Sequence, residues 1–305
     1  MNRVVVTGAA GFLGSHVVKE LLKNGCHVFA YDIVDSNKVK LPSDGNLVYK
    51  KLDVYDINAF ESDLTGKDID TFYHFAWIGS SGELRSDYNC QVNNALKTVE
   101  LLKMAKRVGC KRFIFSGTIM EYESFDAIYQ QGSAPQTSYI YGVGKGLAHS
   151  ICKPIANDIG IELIWALVTN TYGVGELSPR LINSTIRKCI NNEELNFTAG
   201  TQLYDFIYID DVATAFYLLG LRGLKNKSYV IGSGQPKHLR EYLETLIRVV
   251  GASRTPSFGS VPYTGVELSE KALSTDDLKR DCGFELKTSF EEGIRKTFEW
   301  LKENK

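Results

Sequence analysis

The sequence has no excess of charge of either sign. Its 305 residues include 35 lysines and arginines against 36 aspartates and glutamates, which gives a formal net charge of −1 at pH 7. These charges are scattered along the chain rather than gathered on one predicted face. A nucleic acid or an anionic membrane is therefore disfavoured as a partner.

Paired cysteines, clustered histidines and long apolar runs are also missing. The six cysteines, at positions 26, 90, 110, 152, 189 and 282, include no Cys-x-x-Cys pair. This favours free thiols in a reducing compartment over a disulfide scaffold or a zinc site. The five histidines are dispersed, so no metal site is predicted. No apolar run is long enough to span a bilayer, and none precedes the first strand, so we expect a soluble, cytoplasmic protein.

A glycine-rich turn near the start is the most prominent feature that is present. Residues 4–6 are three valines that run into Gly8, Gly11 and Gly14 and then into an apolar spacing typical of a helix. Glycine accepts positive φ and lets the backbone approach a ligand closely. The amides and the dipole at the start of the helix suit a diphosphate. The same pattern also occurs in turns that merely connect a strand to a helix, so it needs support from the rest of the chain.

Acidic residues follow the next two predicted strands, at 26–31 and 47–52. Asp32 stands about 20 residues after the glycine turn, where a carboxylate accepts hydrogen bonds from the adenosine ribose and repels a 2′-phosphate. This favours NAD over NADP, although Lys38 and Lys40 keep NADP open. Asp53 is placed to meet the adenine amino group. The alternative for Asp32 is a loop aspartate that caps a turn.

Tyr141 and Lys145 lie four residues apart in a segment, 138–159, that is predicted to be helical, so their side chains share one face. Among the sixteen tyrosines, Tyr141 alone has a lysine at this spacing. A nearby ammonium favours the phenolate and lowers a pKa that is ordinarily near 10. Tyr141 can then exchange a proton with a substrate hydroxyl or carbonyl, while Thr118 hydrogen-bonds to the same oxygen. An isolated Tyr-x-x-x-Lys is more often an ordinary exposed pair.

Taken together, the motifs resemble the extended short-chain dehydrogenase/reductase family, in its branch of NAD-dependent nucleotide-sugar epimerases, dehydratases and 4-ketoreductases. They are Gly8-x-x-Gly11-x-x-Gly14, Asp32, Asp53, His74-x-Ala76, Ser116-x-Thr118, Tyr141-x-x-x-Lys145, Asn170-x-Tyr172-Gly173 and the run from Asp205 to Asp211. The resemblance covers nearly the whole chain. It implies an α/β fold with a doubly wound parallel (Rossmann) sheet and a smaller C-terminal α/β substrate lobe.

The resemblance also assigns roles to individual residues. It makes Tyr141 the catalytic acid/base, Lys145 the group that binds the nicotinamide ribose, and Thr118 the group that polarises the sugar's C4 oxygen. The cofactor-binding residues that it implies are Gly8, Gly11, Phe12, Leu13, Gly14, Asp32, Asp53, Val54, Phe75, Ala76, Trp77, Asn93, Ser116, Tyr141 and Lys145. The substrate-binding residues are Thr118, Asn170, Arg180 and Tyr204.

Departures from the family's pattern narrow the chemistry. The 4,6-dehydratases carry an Asp-Glu pair directly after the catalytic threonine, where this chain has Ile119 and Met120. Neither side chain transfers protons, so a 4,6-dehydratase is rejected. Glu121 is one position late and is predicted to be a strand-end or loop carboxylate.

Two arginines of the family are also missing. Leu167 stands where the family has an arginine three residues before Asn170, and Tyr204 replaces the arginine that grips the substrate's diphosphate. The loss of a bidentate phosphate donor puts the nucleotide half of the substrate in doubt. Arg180 and Arg187 can supply the contact, and surface solvation explains either equally well.

The predicted domains are an NAD(P)-binding Rossmann domain of residues 1–173, to which 205–232 return, and a substrate lobe of 174–204 and 233–305. The predicted function is redox chemistry at C4 of a nucleotide-linked sugar, by an epimerase with tightly bound NAD or by an NAD(P)H-dependent 4-ketoreductase. A non-sugar carbonyl reductase and a redox-sensing NAD(P)-binding protein are the remaining alternatives.

The resemblance further implies a homodimer that is formed by two helices, at 83–108 and around Tyr141. Apolar residues on these helices are candidates for the interface, namely Leu101, Leu102, Ile151 and Ile155, although core packing explains them equally well. Separately, Asp210 and Asp211 open a predicted helix and are expected to cap it.

Overall fold

A computed structural model describes residues 1–304. These residues form thirteen strands: β1 (Arg3–Thr7), β2 (His27–Asp32), β3 (Leu47–Lys51), β4 (Thr71–His74), β5 (Arg112–Thr118), β6 (Glu162–Val168), β7 (Asn170–Tyr172), β8 (Asn196–Phe197), β9 (Leu203–Tyr204), β10 (Phe206–Tyr208), β11 (Lys227–Ile231), β12 (Lys237–His238) and β13 (Ser257–Phe258). They also form ten α-helices: α1 (Phe12–Lys23), α2 (Ile57–Leu64), α3 (Tyr88–Arg107), α4 (Met120–Tyr129), α5 (Ile140–Ile159), α6 (Leu181–Ile190), α7 (Ile209–Arg222), α8 (Leu239–Val250), α9 (Asp276–Cys282) and α10 (Phe290–Glu303).

Seven of the strands form one parallel sheet in the order β11-β6-β5-β4-β1-β2-β3. The chain starts in the middle at β1, winds outward through β2 and β3, and then crosses to β4 and the other edge. Strands β1 and β4 are buried along nearly their whole length because helices cover both faces of the sheet. The predicted doubly wound fold is confirmed. Its ligands are expected at the carboxyl ends of the strands, where the strand order reverses.

The helices divide between the two faces of the sheet. On one face α1 packs against α7, and on the other α3 packs against α5. Helix α3 begins at Tyr88 rather than at residue 83, because the Asp87 carboxylate caps it by accepting from the Cys90 amide at 2.8 Å. Residues 83–86 form a separate 3₁₀ turn after Gly82, whose φ is +72°. None of the helices within residues 1–304 combines the length and the apolar character needed to cross a bilayer.

A smaller lobe lies beyond β7. Helices α6, α8 and α10 pack together there, and short strand pairs, β8 with β13 and β9 with β12, complete it. Apolar side chains of these helices, such as Ile186, Leu243 and Ile294, belong to the same buried cluster as Val17 of α1 and Phe216 of α7. One apolar core therefore runs from a face of the sheet into the lobe.

The acidic pair at the start of α7 does not cap that helix, contrary to the prediction. No side chain caps its first turn. Instead, Asp210 lies 2.9 Å from the His16 ring nitrogen on α1. The buried Asp211 carboxylate accepts from the amides of Lys287 and Thr288 at 2.9 and 3.0 Å. Both acids therefore bind neighbouring segments, although their position still complements the helix dipole.

Candidate active site

Two cavities open at the carboxyl ends of the strands. The first has a volume of about 620 Å³ and extends from the glycine turn past the ends of β2 and β3. The second, of about 400 Å³, lies between the end of β5, β7 and the start of α6. Ser116, Tyr141 and Arg180 line both cavities. Ligands in the two cavities therefore meet beside Tyr141.

The glycine turn closes one end of the first cavity. Gly8 has a φ of +68°, and a Cβ atom on Gly14 would lie 2.1 Å from the Gly8 carbonyl oxygen. Gly11 is the N-cap of α1, and no side chain caps this helix. Gly11, Phe12 and Leu13 line the cavity, so the start of the helix is open to a ligand. A dinucleotide's diphosphate fits this bare helix terminus.

Both predicted acids reach the first cavity. Asp32 is the last residue of β2, and its carboxylate accepts from the Ala10 amide at 2.9 Å and the Ile33 amide at 2.8 Å. Asp53 accepts from the Tyr55 amide at 2.9 Å. Asp32, Asp53 and Val54 all line the cavity. The carboxylate of Asp32 thus also holds the glycine turn. Asp32 therefore both caps a turn, as the alternative prediction had it, and lines the cavity.

The loop after β4 supplies a further part of the first cavity through Phe75, Ala76 and Trp77. The prediction that Asn93 binds the cofactor was wrong, because this residue lies exposed on α3 and lines neither cavity. One residue along a helix turns the side chain by about 100°. Its neighbour Asn94 is buried and binds Ile78 of the loop, accepting from the amide at 3.1 Å and donating to the carbonyl at 2.8 Å.

Tyr141 and Lys145 lie in the first two turns of α5 and are both buried, with exposed fractions of 8% and 3%. The Lys145 ammonium donates to the Ser116 carbonyl at 2.7 Å. It also lies 4.0 Å from the centroid of the Trp77 ring. The lysine is thus held in one position, 5.8 Å from the centroid of the Tyr141 ring.

The charge that acts most strongly on Tyr141 is not the one predicted. Burial raises the pKa of the Tyr141 phenol, and the cations that oppose this are Arg85 and then Arg180. The Arg85 guanidinium carbon lies 4.0 Å from the centroid of the Tyr141 ring. Burial also lowers the pKa of Lys145 to about 7, so this lysine brings less charge to the site than its ordinary pKa suggests.

The buried lysine predicts a pH dependence of stability. Its pKa in the folded chain is about 7, below its ordinary value of about 10.4. Burial is the main cause of this lowering; Glu121 raises the pKa and Arg85 lowers it further. Between these pH values the unfolded chain binds more protons, so stability rises with pH. The free energy of unfolding of the wild type minus that of Lys145→Met should increase by about 2 kcal/mol between about pH 7.5 and about pH 9.5. Urea denaturation without added cofactor measures this difference, and a constant value would contradict the prediction.

Thr118 ends β5 and lines the second cavity. Its amide donates at 3.0 Å to the carboxylate of Glu121. The prediction for Glu121 was wrong, because this residue lies in α4 rather than in a loop or at a strand end. Glu121 is 3% exposed and also accepts from the Trp165 indole at 3.0 Å, while the His149 ring nitrogen lies 3.1 Å away. Glu121 therefore fixes the backbone at Thr118.

The predicted substrate residues surround the second cavity. Asn170, Arg180 and Tyr204 all line it, and Arg180 pairs with Glu176 at 3.7 Å. Arg187 lines neither cavity, so Arg180 is the one of the two proposed arginines that reaches the site.

Sequence reasoning missed several residues that line one or both cavities. They include Arg85, Glu176 and Ser178. No motif marks them, since they come from loops and helix starts whose positions depend on the fold. Arg85 is the most consequential of them because of its contact with Tyr141.

Comparisons with known proteins agree with this geometry. Residues 4–232 match the model of the NAD dependent epimerase/dehydratase family. A CDP-abequose synthase of Salmonella muenchen is 25% identical over 97% of this chain and 96% of its own length. A crystal structure of UDP-glucose 4-epimerase from Thermotoga maritima, with UDP-glucose, has a TM-score of 0.80 and 25% identity over 100% of this chain and 99% of that chain.

One further relative is much longer than this chain. A trifunctional UDP-glucose 4,6-dehydratase/UDP-4-keto-6-deoxy-D-glucose 3,5-epimerase/UDP-4-keto-L-rhamnose-reductase of Arabidopsis thaliana is 26% identical over 99% of this chain. The chain spans 48% of that relative's length. The similarity therefore concerns about half of a protein that has several activities.

Proposed function

We propose that this chain, which belongs to the NAD dependent epimerase/dehydratase family, carries out hydride-transfer chemistry at C4 of a nucleotide-linked sugar. The observation that carries the proposal is the position of Tyr141, which is buried where the two cavities meet. The first cavity suits NAD because of its bare helix terminus and the acids at the ends of β2 and β3. The second cavity then holds the sugar, with its C4 oxygen beside Tyr141.

Tyr141 and the residues around it have separate roles in the proposed reaction. NAD supplies the hydride acceptor when it is bound. Lys145, held by the Ser116 carbonyl, binds the nicotinamide ribose. Tyr141 takes the proton of the C4 hydroxyl, and Thr118 hydrogen-bonds to the same oxygen, so that C4 becomes a ketone as the hydride leaves it. In an epimerase the hydride returns to the opposite face of the sugar and Tyr141 returns the proton.

The same site argues against a 4,6-dehydratase. That activity needs an acid/base next to Thr118, and Ile119 and Met120 offer none. Glu121 does not replace them, because its carboxylate binds the Thr118 amide and lines neither cavity.

An epimerase is our first proposal and a 4-ketoreductase the second. Asp32 at the end of β2 supports a retained NAD and therefore an epimerase. The replacement of the family's diphosphate arginine by Tyr204 favours a reductase of an altered sugar nucleotide. A sensor or a non-sugar reductase is less well supported, since a sensor has no need of Tyr141, Lys145 and Thr118 together.

Analysis of the bound cofactor separates the two activities. The protein is purified without added nucleotide and denatured, and the extract is analysed for NAD and NADP. Near-stoichiometric NAD supports an epimerase, which needs no external redox partner. An empty protein that binds NADH or NADPH weakly supports a 4-ketoreductase. If it also shows no hydride exchange with any sugar nucleotide, the proposed function is wrong.

Replacing Asp32 tests the basis for preferring NAD. Asp32→Ala should weaken NAD binding more than NADP binding, because the carboxylate accepts from the ribose hydroxyls and repels a 2′-phosphate. Isothermal titration with both cofactors measures this, and Asp35→Ala, which removes an exposed carboxylate paired with Lys51, serves as the control. If the wild type binds NAD and NADP with equal affinity, the inference that Asp32 selects NAD is already wrong.

We also propose the domain division predicted from the sequence, with residues 1–173 and 205–232 for the cofactor and 174–204 and 233–305 for the substrate. Within this division β11 pairs with β6 in the large sheet. Arg180, at the N-terminus of α6, is then the group that contacts the substrate's diphosphate.

We further propose the homodimer predicted from the sequence, formed through α3 and α5. Leu101 and Leu102 are buried in the core and cannot supply an interface. Tyr88, Val92 and Leu96, at intervals of four, instead form an apolar stripe with exposed fractions of 65%, 42% and 52%. Sedimentation of the wild type should give a dimer and that of Leu96→Glu a monomer. A monomeric wild type would refute the proposal.

A further inference from the structure

We propose that Arg85 forms an anion subsite for a carboxylate carried by the sugar next to C4, which makes a uronic acid the substrate class. This rests on the proposed function, which places the sugar in the second cavity. Arg85 belongs to the 3₁₀ turn Glu83–Ser86 and lines that cavity together with Thr118, Met120 and Tyr141. Its guanidinium carbon is 4.0 Å from the centroid of the Tyr141 ring, so its charge lies beside the residue that is proposed to meet the C4 oxygen.

The Arg85 charge has no carboxylate partner within ion-pair distance among residues 1–304. One terminal nitrogen donates to the Ser80 carbonyl at 2.7 Å, and the other contacts the Met120 sulfur, a weak acceptor. The neighbouring acid Glu123 is itself half-buried, and this burial raises its pKa to about 7. A partly buried cation with unused donors is costly, and a ligand carboxylate would satisfy it.

Met120 is the reason that this charge is available. Its side chain contacts the Arg85 guanidinium at the position where the family's dehydratases carry glutamate. A carboxylate at residue 120 would pair with Arg85, so the absence of the acid leaves the guanidinium free for a ligand. Arg180, the other arginine whose charge reaches Tyr141, lies 3.7 Å from the Glu176 carboxylate and is the group proposed for the substrate's diphosphate.

The geometry selects the ligand group. Tyr141 meets the oxygen on C4, and the ring carbons on either side are C3 and C5. A neutral hexose offers only hydroxyl groups there, whereas a uronic acid has a carboxylate as C6, attached to C5. Guanidinium and carboxylate form a planar bidentate pair, which a hydroxyl cannot reproduce.

Sugar 1-phosphates test the subsite without assuming the nucleotide base. Binding of glucuronic acid 1-phosphate and glucose 1-phosphate is measured by ligand-observed NMR on the cofactor-loaded protein. The wild type should bind the uronate at least about tenfold more tightly, in line with one charge-assisted pair. Arg85→Gln should remove that preference. Met120→Glu should remove it as well, because its carboxylate occupies Arg85.

Arg107→Gln is the matched control, since Arg107 is an exposed arginine paired with Glu61 and should leave the preference unchanged. Equal binding of the two phosphates by the wild type, or a preference that survives Arg85→Gln, would overturn the subsite. Hydride transfer with sugar nucleotides is measured on the same preparations. Transfer without the preference refutes only the subsite, whereas the preference without transfer refutes only the proposed function.

Discussion

Turnover should fall by about 10³-fold, within the ~10²–10⁴ range of general acid–base catalysis, when Tyr141 is replaced by phenylalanine. The phenylalanine ring keeps the packing against Trp77, whose ring centroid lies 6.4 Å away, and against the Arg85 guanidinium. Only the hydroxyl is lost. Lys145 still donates to the Ser116 carbonyl, so NAD affinity should change little.

Steady-state kinetics with a reacting sugar nucleotide and NAD titration measure the two quantities separately. Tyr139→Phe is the matched control, because Tyr139 is buried two residues earlier but lines neither cavity. This control should keep near wild-type turnover. If Tyr141→Phe also keeps it, the hydroxyl is not the acid/base and the proposed mechanism fails. If NAD affinity falls along with turnover, Tyr141 also helps to shape the cofactor site, a role that its contacts do not indicate.

Replacing Gly14 by alanine should weaken NAD binding by about 100-fold or more, equivalent to ~2.7 kcal/mol. The new Cβ would lie 2.1 Å from the Gly8 carbonyl oxygen, a backbone atom that cannot move aside cheaply. The turn must open to relieve the overlap, and the amides at the start of α1 then lose their place against the diphosphate.

A graded series makes this prediction specific. Gly11→Ala places its Cβ 3.2 Å from the same oxygen and should have an intermediate effect, and Gly45→Ala meets no atom within 4 Å and should have none. Calorimetric titration with NAD measures affinity, and thermal unfolding without cofactor shows whether each variant is folded. An affinity of Gly14→Ala within a few fold of wild type would show that the diphosphate does not bind at this turn.

The parts of the fold that follow from local patterns were predictable. Residue patterns predicted the strands at 4–6, 26–31 and 47–52, which the structure has as β1, β2 and β3. Asp56, a residue type that often caps helices, precedes α2 and accepts from the Ala59 amide at 3.1 Å. The start of α3 was misplaced because a 3₁₀ turn and a proper helix have similar apolar spacing. Its actual boundary depends on Asp87, one of several polar residues with which a helix can begin.

The site was predictable where a motif marks it. Tyr141 lines the first cavity with Lys145 and the second with Thr118, and the catalytic roles that the resemblance implies for these three residues stay predictions. Arg85 and Glu121 were missed or misread because their roles depend on contacts between segments far apart in sequence. Asn93 was predicted at the site, whereas Asn94 is the buried residue. A helix turns by about 100° per residue, so only the fold reveals which of two adjacent asparagines faces inward.

The apolar core that joins α1 and α7 to the smaller lobe has a consequence for how the protein unfolds. Because Ile186, Leu243 and Ile294 share one buried cluster with Val17 and Phe216, neither region can lose its packing without exposing the other's. The chain should therefore melt in a single cooperative transition. A fragment that ends near residue 173 would expose part of this core to water and should not fold by itself. The cofactor and substrate regions thus differ in what they bind, but they fold and unfold together as one unit.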